Sequence, residues 1–156
     1  MPLTLREIDT DELATANDIV VSAIESWDMK PRLRRLVSQT YQYDAGDFDT
    51  MRLFLLQDEQ PQAMLAVEDY PGDEVNVNAR ILLLHGIYVR PERHGEGMGR
   101  QLLEATKALA REGGFAGVLV KAHASANGFF QAMGMQELPI TDERRDYPHR
   151  FWWSNQ

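Results

Sequence analysis

The sequence predicts an α/β fold in which helices flank a mixed sheet. Some segments alternate apolar and polar residues, as half-buried strands do, and others repeat apolar residues at the spacing of a helix face. In chain order they predict a strand, two helices, three strands, a helix, a strand, a helix and two strands. The 156 residues suit one domain with a sizeable core, and they show no internal repeat or linker. We therefore expect residues 1–156 to form a single domain.

The N-terminal part of the chain predicts one strand and two helices. Residues 3–8 alternate in polarity, and Asp9 with Glu12 resembles a capping box that opens a helix. The apolar face of that helix is predicted to contain Leu13, Ala16, Ile19, Val20, Ala23, Ile24 and Trp27. Pro31 suits the first turn of a second helix. The predicted buried side of this second helix consists of Leu33, Leu36, Val37 and Tyr41.

The middle of the chain predicts a hairpin and a central strand. Residues 51–56 and 62–67 have the composition of strands, and residues 58–61 suit the turn between them. Residues 80–89 are nearly all apolar, as expected for a strand buried on both faces. Gly86 interrupts this strand, and an isolated glycine there indicates a bulge or a close approach of the backbone.

The last part of the chain predicts helices and strands that follow a glycine-rich turn. A helix is expected from that turn to about Glu112, where Gly113 and Gly114 end it. The remaining predicted elements are a strand at residues 117–122, a short helix at 125–133, and strands near 135–138 and 147–153.

Composition excludes several classes of function. The formal net charge of −8 argues against a nucleic-acid surface and fits a cationic or neutral substrate. The absence of cysteine excludes disulfides, thiolate metal sites and an acyl-cysteine intermediate. The four histidines show no ligand spacing, so no metal site is predicted. The chain shows neither a secretory signal nor an apolar stretch of membrane-spanning length, so we expect a cytoplasmic protein that does not enter a membrane.

A turn with three glycines carries the strongest chemical signal. Gly95, Gly97 and Gly99 stand between the central strand and an amphipathic helix. Such a turn exposes backbone N–H groups beside the positive end of the helix dipole, and these groups bind phosphate oxygens. Arg93, His94 and Arg100 are placed to add positive charge at the rim of this turn.

Two common phosphate motifs fit this turn poorly. A P-loop continues from its last glycine into Lys and then Ser or Thr, whereas Gly99 is followed by Arg100 and Gln101. A dinucleotide-binding turn is usually paired with an acidic residue on the next strand, and the predicted strand after the helix contains none.

A third motif fits well: the segment resembles motif A of the GCN5-related N-acetyltransferase (GNAT) family. The matching elements are Val89, Pro91, His94 and the run Gly95-Glu96-Gly97-Met98-Gly99-Arg100-Gln101-Leu102. Residues 126–135 are similar to motif B of the family, and the order of elements also matches. The resemblance implies a mixed, largely antiparallel sheet that splays between the strand at 80–89 and the strand at 117–122.

The resemblance also implies acetyl-CoA as a cosubstrate. Its pantetheine arm would bond to the backbone at Ile87 and Val89, and its pyrophosphate would lie on the amides from His94 to Arg100. The cofactor-binding residues implied in this way are Ile87, Tyr88, Val89, His94, Gly95, Glu96, Gly97, Met98, Gly99, Arg100, His123, Asn127 and Phe130.

The catalytic groups that the family commonly uses are missing from this sequence. Phe130 stands where motif B often has a tyrosine that acts as the acid, and Leu83 stands where some members have a glutamate base. His85, at the same parity as Leu83, is the candidate general base, although hydrogen bonding within the core would equally explain it. Tyr147 is the candidate acid, with simple packing as the alternative. For His123, at the end of the next strand, an exposed strand-end residue is favoured over a role in catalysis.

The resemblance therefore implies an enzyme that transfers an acetyl group from acetyl-CoA directly to a primary amine. The alternatives are a non-catalytic acyl-CoA-binding or regulatory domain and a nucleotide-binding protein that uses the same turn. The expected partner is a small-molecule or peptide amine. A homodimer is a further expectation, since dimers are common in the family. Trp27, Trp152 and Trp153 are candidates for lining a substrate pocket, with packing in the core or in an interface as the alternative. Asp44, Asp47 and Asp49 are candidates for attracting an amine, with a solvated acidic loop as the alternative.

Overall fold

A computed structural model describes residues 2–122, 127–140 and 149–155 of the chain. Its strands are β1 (Thr4–Ile8), β2 (Met51–Gln57), β3 (Pro61–Pro71), β4 (Arg80–Val89), β5 (Gly117–Lys121), β6 (Gln136–Glu137) and β7 (Arg150–Ser154). Its α-helices are α1 (Leu13–Glu25), α2 (Pro31–Tyr41), α3 (Met98–Gly113) and α4 (Asn127–Ala132). No helix within these described ranges is long and apolar enough to cross a membrane.

The strands form a seven-stranded sheet in the order β1-β2-β3-β4-β5-β7-β6. Strands β4 and β5 are parallel, whereas β1 with β2, β5 with β7 and β6 with β7 are antiparallel. The prediction of a mixed, largely antiparallel sheet with flanking helices is confirmed. The register of β4 and β5 runs from Leu82 beside Val118 to Leu84 beside Val120, and β4 continues beyond it to Val89.

The chain divides into two compact units. The first contains Met1–Ala66 and Gly86–Leu103, and the second contains Val67–His85 and Glu104–Gln156. Strands β3 and β4 and helix α3 each contribute residues to both units.

The core of the first unit is built around α1, as the apolar periodicity predicted. Its buried residues are Ile8, Ala16, Ile19, Val20, Ala23, Ile24, Tyr43, Leu53, Leu55, Met64, Ala66 and Tyr88. Ile8 of β1 pairs with Leu53 of β2, and both side chains belong to this core. Burial of this apolar surface is the main term that holds the unit together.

Two details of the helix starts differ from the sequence prediction. Asp9 accepts a hydrogen bond from the Asp11 amide at 3.0 Å and opens a short 3₁₀ turn at Thr10–Glu12, while the Glu12 carboxylate binds Arg6. A reciprocal capping box forms instead between Asp44 and Asp47, at the start of the 3₁₀ turn Ala45–Asp49. These two acidic residues therefore have a structural role in the first unit.

Helix α2 begins at Pro31 as predicted, but only half of its predicted buried side is correct. Leu33 is 48% exposed and Leu36 is 60% exposed. Val37 and Tyr41 pack against the core, and the Tyr41 ring meets the Trp27 ring edge-on at a centroid distance of 6.2 Å. Val37 and Tyr41 are four positions apart and therefore lie on one side of the helix. The contact with the core thus buries only part of the apolar face that the sequence predicted.

The second unit has its own apolar cluster on β4 and β5. Ile81, Leu83 and Leu119 form its centre, and Tyr70, Val75, Val77, Ala116, Leu138 and Trp152 pack against them. On β7, the Trp153 ring lies beneath Arg111 and Lys107 of α3, at 5.0 and 5.7 Å from the ring centroid. Trp152 and Trp153 therefore both pack within this unit.

Candidate functional site

The glycine-rich turn joins the end of β4 to the start of α3. The chain leaves Val89, makes a 3₁₀ turn at Pro91–Arg93, and enters α3 at Met98. Gly95 and Gly97 have φ values of +84° and +82°, which residues with a Cβ rarely adopt. A Cβ built at either glycine would meet no atom within 4 Å, so the space beside the turn is open.

Helix α3 begins directly after the two open glycines. The Gln101 amide donates to the Gly97 carbonyl at 3.0 Å, which places Gly97 at the start of the helix. The amides that precede Gln101 in the first turn have no acceptor within a helix, and the helix dipole makes this end positive. Met98, with a side chain that is 2% exposed, anchors the helix start in the core. Open space with N–H donors beside it suits a phosphate group.

The end of β4 is held by contacts on both sides of Val89. His94 Nε2 lies 3.1 Å from the Val89 carbonyl oxygen, and the Arg90 amide donates to Gln62 at 2.9 Å. The side chains of Ile87 and Val89 are half-buried, while Tyr88 is buried in the core of the first unit. The role implied for Ile87 and Val89 is to bond the pantetheine arm through their backbone, and it does not depend on their side chains.

Gly86 is explained by a close approach of side chains to the strand. A Cβ at this position would lie 2.6 Å from the Tyr43 hydroxyl oxygen and 2.6 Å from Cε2 of Tyr88. Burial raises the pKa of both phenols well above the usual range, so Tyr43 and Tyr88 stay protonated at neutral pH. Of the two explanations that the sequence offered for this glycine, close approach fits these contacts.

Arg93 makes ion pairs with two acidic side chains. Its Nε donates to both carboxylate oxygens of Glu96, at 3.0 and 2.9 Å, and its Nη1 donates to Asp58 Oδ2 at 2.8 Å. The hydrogen bond from Arg93 lowers the pKa of Asp58 to about 2, and the amide of Gln60 contributes. Arg93 was predicted at the rim of the turn, but its pairing with Asp58 was not predicted. Asp58 lies in the β2–β3 hairpin, which is distant from Arg93 in the sequence. Arg100 is exposed.

In the second unit, His85 lies beside an acidic residue that the sequence analysis missed. His85 Nε2 is 3.7 Å from Glu68 Oε1, and the side chains are 38% and 21% exposed. The sequence shows that Glu68 directly follows the apolar run 63–67 on β3. It does not show which residue of a neighbouring strand lies beside Glu68, because that depends on strand order and register. The distance from His85 to Glu68 is longer than a hydrogen bond, so the geometry brings the two groups close without fixing the orientation of the ring.

A second polar cluster, also missed from the sequence, surrounds Glu74 in the same unit. Lys121 Nζ lies 2.6 Å from Glu74 Oε1 and 3.2 Å from the Tyr70 hydroxyl, and this hydroxyl donates to Glu74 at 3.1 Å. Arg150 Nη1 is 3.6 Å from the other Glu74 oxygen. Burial alone would lower the pKa of Lys121, but hydrogen bonds to Glu74 and Tyr70 outweigh it and raise that pKa. The lysine is therefore a cation at neutral pH.

The remaining candidate residues from the sequence are either buried in apolar surroundings or not described by the structure. Phe130 is buried, and its ring packs against Phe129 and Phe151 at centroid distances of 5.1 and 5.5 Å. Leu83 is buried in the apolar cluster of the second unit. His123 and Tyr147 lie outside the described residues, and Asn127 is described only as the first residue of α4. Within the described residues, no group of three or more His, Asp or Glu side chains could hold a metal ion.

Comparison with known families gives the glycine turn its context. The family described as the acetyltransferase (GNAT) domain matches residues 49–137, which is more than half of the chain and includes β4, the turn and α3. This chain belongs to the GNAT family. No sequence among the curated proteins matches it.

Solved GNAT structures share this fold at low sequence identity. The PaiA N-acetyltransferase from Thermoplasma acidophilum, in complex with coenzyme A, is 11% identical with a TM-score of 0.75, over 99% of this chain and 100% of that one. A GNAT acetyltransferase from Brucella melitensis, in complex with acetyl-CoA, is 15% identical with a TM-score of 0.66, over 98% and 88%. The enzyme AAC(6')-Iy, bound to the bisubstrate analogue CoA-S-monomethyl-acetylneamine, is 14% identical with a TM-score of 0.64, over 89% and 94%.

Proposed function

We propose that residues 1–156 act as one acetyltransferase domain, which uses acetyl-CoA as its cosubstrate and a primary amine as acceptor. The observation that carries this proposal is the open turn at Gly95 and Gly97, beside the N-terminus of α3. Membership of the GNAT family supports the reaction class, and solved relatives contain coenzyme A or acetyl-CoA. In this proposal the amides of residues 94–100 hold the pyrophosphate, and the backbone of Ile87 and Val89 holds the pantetheine arm.

The proposed reaction is direct transfer. The lone pair of a neutral amine attacks the thioester carbonyl carbon, the carbon–sulfur bond breaks, and the sulfur leaves with the bonding electrons as a thiolate. The amine nitrogen loses one proton to a base. The absence of cysteine supports a path without an acyl-cysteine intermediate.

His85 is the proposed base. Its side chain is partly exposed, so it is accessible to an amine or to a water that relays the proton. As His85 takes up the proton, the nearby Glu68 carboxylate would stabilise the imidazolium that forms, because opposite charges at this distance favour the charged ring. Glu68 is thus proposed as a positioning residue for His85.

The acid that assists the departing thiolate is proposed to be Tyr147. Phe130 has no proton to give, and a thiolate is a good leaving group, so the demand on such an acid is small. The acceptor is proposed to be a small-molecule or peptide amine, and the bisubstrate complex of AAC(6')-Iy supports a small molecule by analogy. The excess of acidic residues favours an amine that is cationic in solution.

A non-catalytic acyl-CoA-binding domain is the second candidate. It is favoured by Leu83 and Phe130, which put apolar side chains where some family members have a glutamate base and where motif B often has a tyrosine acid. Both candidates require the same cofactor site and differ only in turnover.

Calorimetric binding followed by an amine screen tests both candidates. Acetyl-CoA, coenzyme A, ATP and NAD are titrated separately, and we expect binding of the first two alone. Release of free thiol from acetyl-CoA is then measured with a panel of primary amines. Amine-dependent release supports the enzyme, whereas tight binding with no release across the panel favours the non-catalytic domain. Preference for ATP or NAD would mean that the turn serves a different ligand.

A further inference from the structure

Glu96 places a negative charge inside the glycine turn. It stands between Gly95 and Gly97, the two residues whose backbone conformation opens the turn. In the proposed function this turn holds a pyrophosphate, which also carries negative charge. A carboxylate directed at that group would oppose binding, because like charges repel most strongly where water is partly excluded.

Arg93 holds this carboxylate in place. Both Glu96 oxygens accept from Arg93 Nε, at 3.0 and 2.9 Å, although Glu96 itself is 48% exposed. The guanidinium therefore opposes the glutamate charge locally and restricts the positions that its carboxylate adopts.

Arg93 is itself anchored by Asp58 on the β2–β3 hairpin. The Nη1–Oδ2 distance is 2.8 Å, and the side chains are 24% and 17% exposed. Asp58 Oδ1 also accepts from the Gln60 amide at 3.2 Å, which fixes the carboxylate in the hairpin turn. The hairpin thus sets the position of a cation that in turn sets the position of Glu96.

We propose that Arg93 is a positioning residue for cofactor binding, which acts by holding the Glu96 carboxylate back from the pyrophosphate. This inference rests on the proposed acetyl-CoA site. It differs from the expectation that Arg93 adds a phosphate-binding charge at the rim, because the Nε and Nη1 donors of Arg93 are engaged by Glu96 and Asp58. Removal of Arg93 should harm binding mainly through the glutamate that it leaves behind.

A double-mutant cycle separates these two roles. Acetyl-CoA dissociation constants are measured by calorimetry for the parent, Arg93→Ala, Glu96→Gln and the double variant. Arg93→Ala is expected to weaken binding by about tenfold, or about 1.4 kcal/mol, because it leaves an unpaired carboxylate beside the proposed pyrophosphate. In the Glu96→Gln background the same change should cost less than about threefold, and Glu96→Gln alone should tighten binding slightly.

Salt and a matched control sharpen the result. The loss caused by Arg93→Ala should shrink at high salt, because exposed charges are screened. Arg52→Ala removes a comparable two-bond pair, with Glu7, and should leave affinity at the parental value. Thermal unfolding of each variant without ligand shows whether it is folded.

The outcomes distinguish the inference from the proposed function. An equal loss for Arg93→Ala in both backgrounds would mean that Arg93 touches the cofactor directly or only supports the turn, and would overturn the inference. No loss in either background would also overturn it. A parent protein that does not bind acetyl-CoA would instead remove the proposed site, and the inference with it.

Discussion

The glycine turn and the Glu68–His85 pair are built from different parts of the chain. The turn consists of backbone torsions and N–H groups within one short run of sequence, at residues 94–100. The pair joins two side chains from different strands, β3 and β4. A site made of backbone is damaged by adding atoms, whereas a site made of side chains is damaged by removing them. Each kind of site therefore calls for a different substitution.

The largest effect is expected when atoms are added to the turn. Gly97→Asp places a Cβ in the open space at φ +82° and adds a negative charge beside the proposed pyrophosphate. Two like charges about 4 Å apart repel by a few kcal/mol near a protein surface, so acetyl-CoA affinity should fall by about a hundredfold or more. Calorimetry measures the loss.

Gly114→Asp is the matched control for this substitution. Gly114 also has positive φ, +72°, and a Cβ there would also meet no atom within 4 Å. Both variants should lose about 1–3 kcal/mol of stability through backbone strain. Only Gly97→Asp should lose binding, and a folded Gly97→Asp protein with parental affinity would move the cofactor site away from the turn.

The next largest effect is expected when side chains are removed from the pair. His85→Ala should lower kcat by about 10²-fold or more, as loss of a general base does, without changing the affinity for acetyl-CoA. Glu68→Gln should lower kcat by less than about tenfold, because a partly exposed pair contributes about 1 kcal/mol or less. Steady-state kinetics with the best amine from the screen measures both losses.

Conservative and distant variants show whether these losses are specific. Glu68→Asp keeps the charge and should recover part of the rate that Glu68→Gln loses. Glu7→Gln removes an exposed carboxylate paired with Arg52 elsewhere and should leave kcat unchanged. Equal kcat in His85→Ala and the parent would exclude His85 as the base.

The same contrast explains how much could be predicted from the sequence. The turn, α3 and the apolar strand before it were predicted correctly because glycine spacing and helix periodicity are local properties. Glu68 was missed because its contact with His85 depends on strand order and register. Asp58 was missed for a similar reason, since it reaches Arg93 from the β2–β3 hairpin.

Helix α2 shows a second limit of the sequence. Pro31 indicated where this helix begins and the apolar pattern indicated one face, but neither determined how much of that face is covered. Val37 and Tyr41 pack against the core, whereas Leu33 and Leu36 remain largely exposed. Periodicity identifies which residues share a face, and tertiary packing decides which of them are buried.

Gly86 can be compared with the glycines of the turn, because it is the same residue type in crowded rather than open surroundings. Unlike the open glycines of the turn, it faces Tyr43 and Tyr88, and a Cβ would lie 2.6 Å from each. Gly86→Ala should therefore lower the free energy of unfolding by about 1–3 kcal/mol, as overpacking does. Gly128→Ala is the control, because this helical glycine has open space around it and alanine should stabilise it by about 0.5–1 kcal/mol. Denaturant titration measures both, and a fully stable Gly86→Ala protein would contradict the close approach of Tyr43.

The smallest expected effect concerns the pairing of Asp58 with Arg93, which links the β2–β3 hairpin to the glycine turn. The pKa of Asp58 is about 2 in the folded chain, against an ordinary value of 3.8, because Arg93 binds the carboxylate. A lowered pKa means that this carboxylate contributes stability above about pH 4 and that the contribution is lost as the pH falls towards 2. The difference in unfolding free energy between the parent and Asp58→Asn should therefore shrink between pH 5 and pH 2. In an Arg93→Ala background the largest cause of the lowered pKa is gone and only the hydrogen bonds from Gln60 and Gln62 remain, so the pH dependence of this difference should become clearly smaller. A pH dependence as large as that of the parent would assign the low pKa of Asp58 to the Gln60 amide rather than to Arg93.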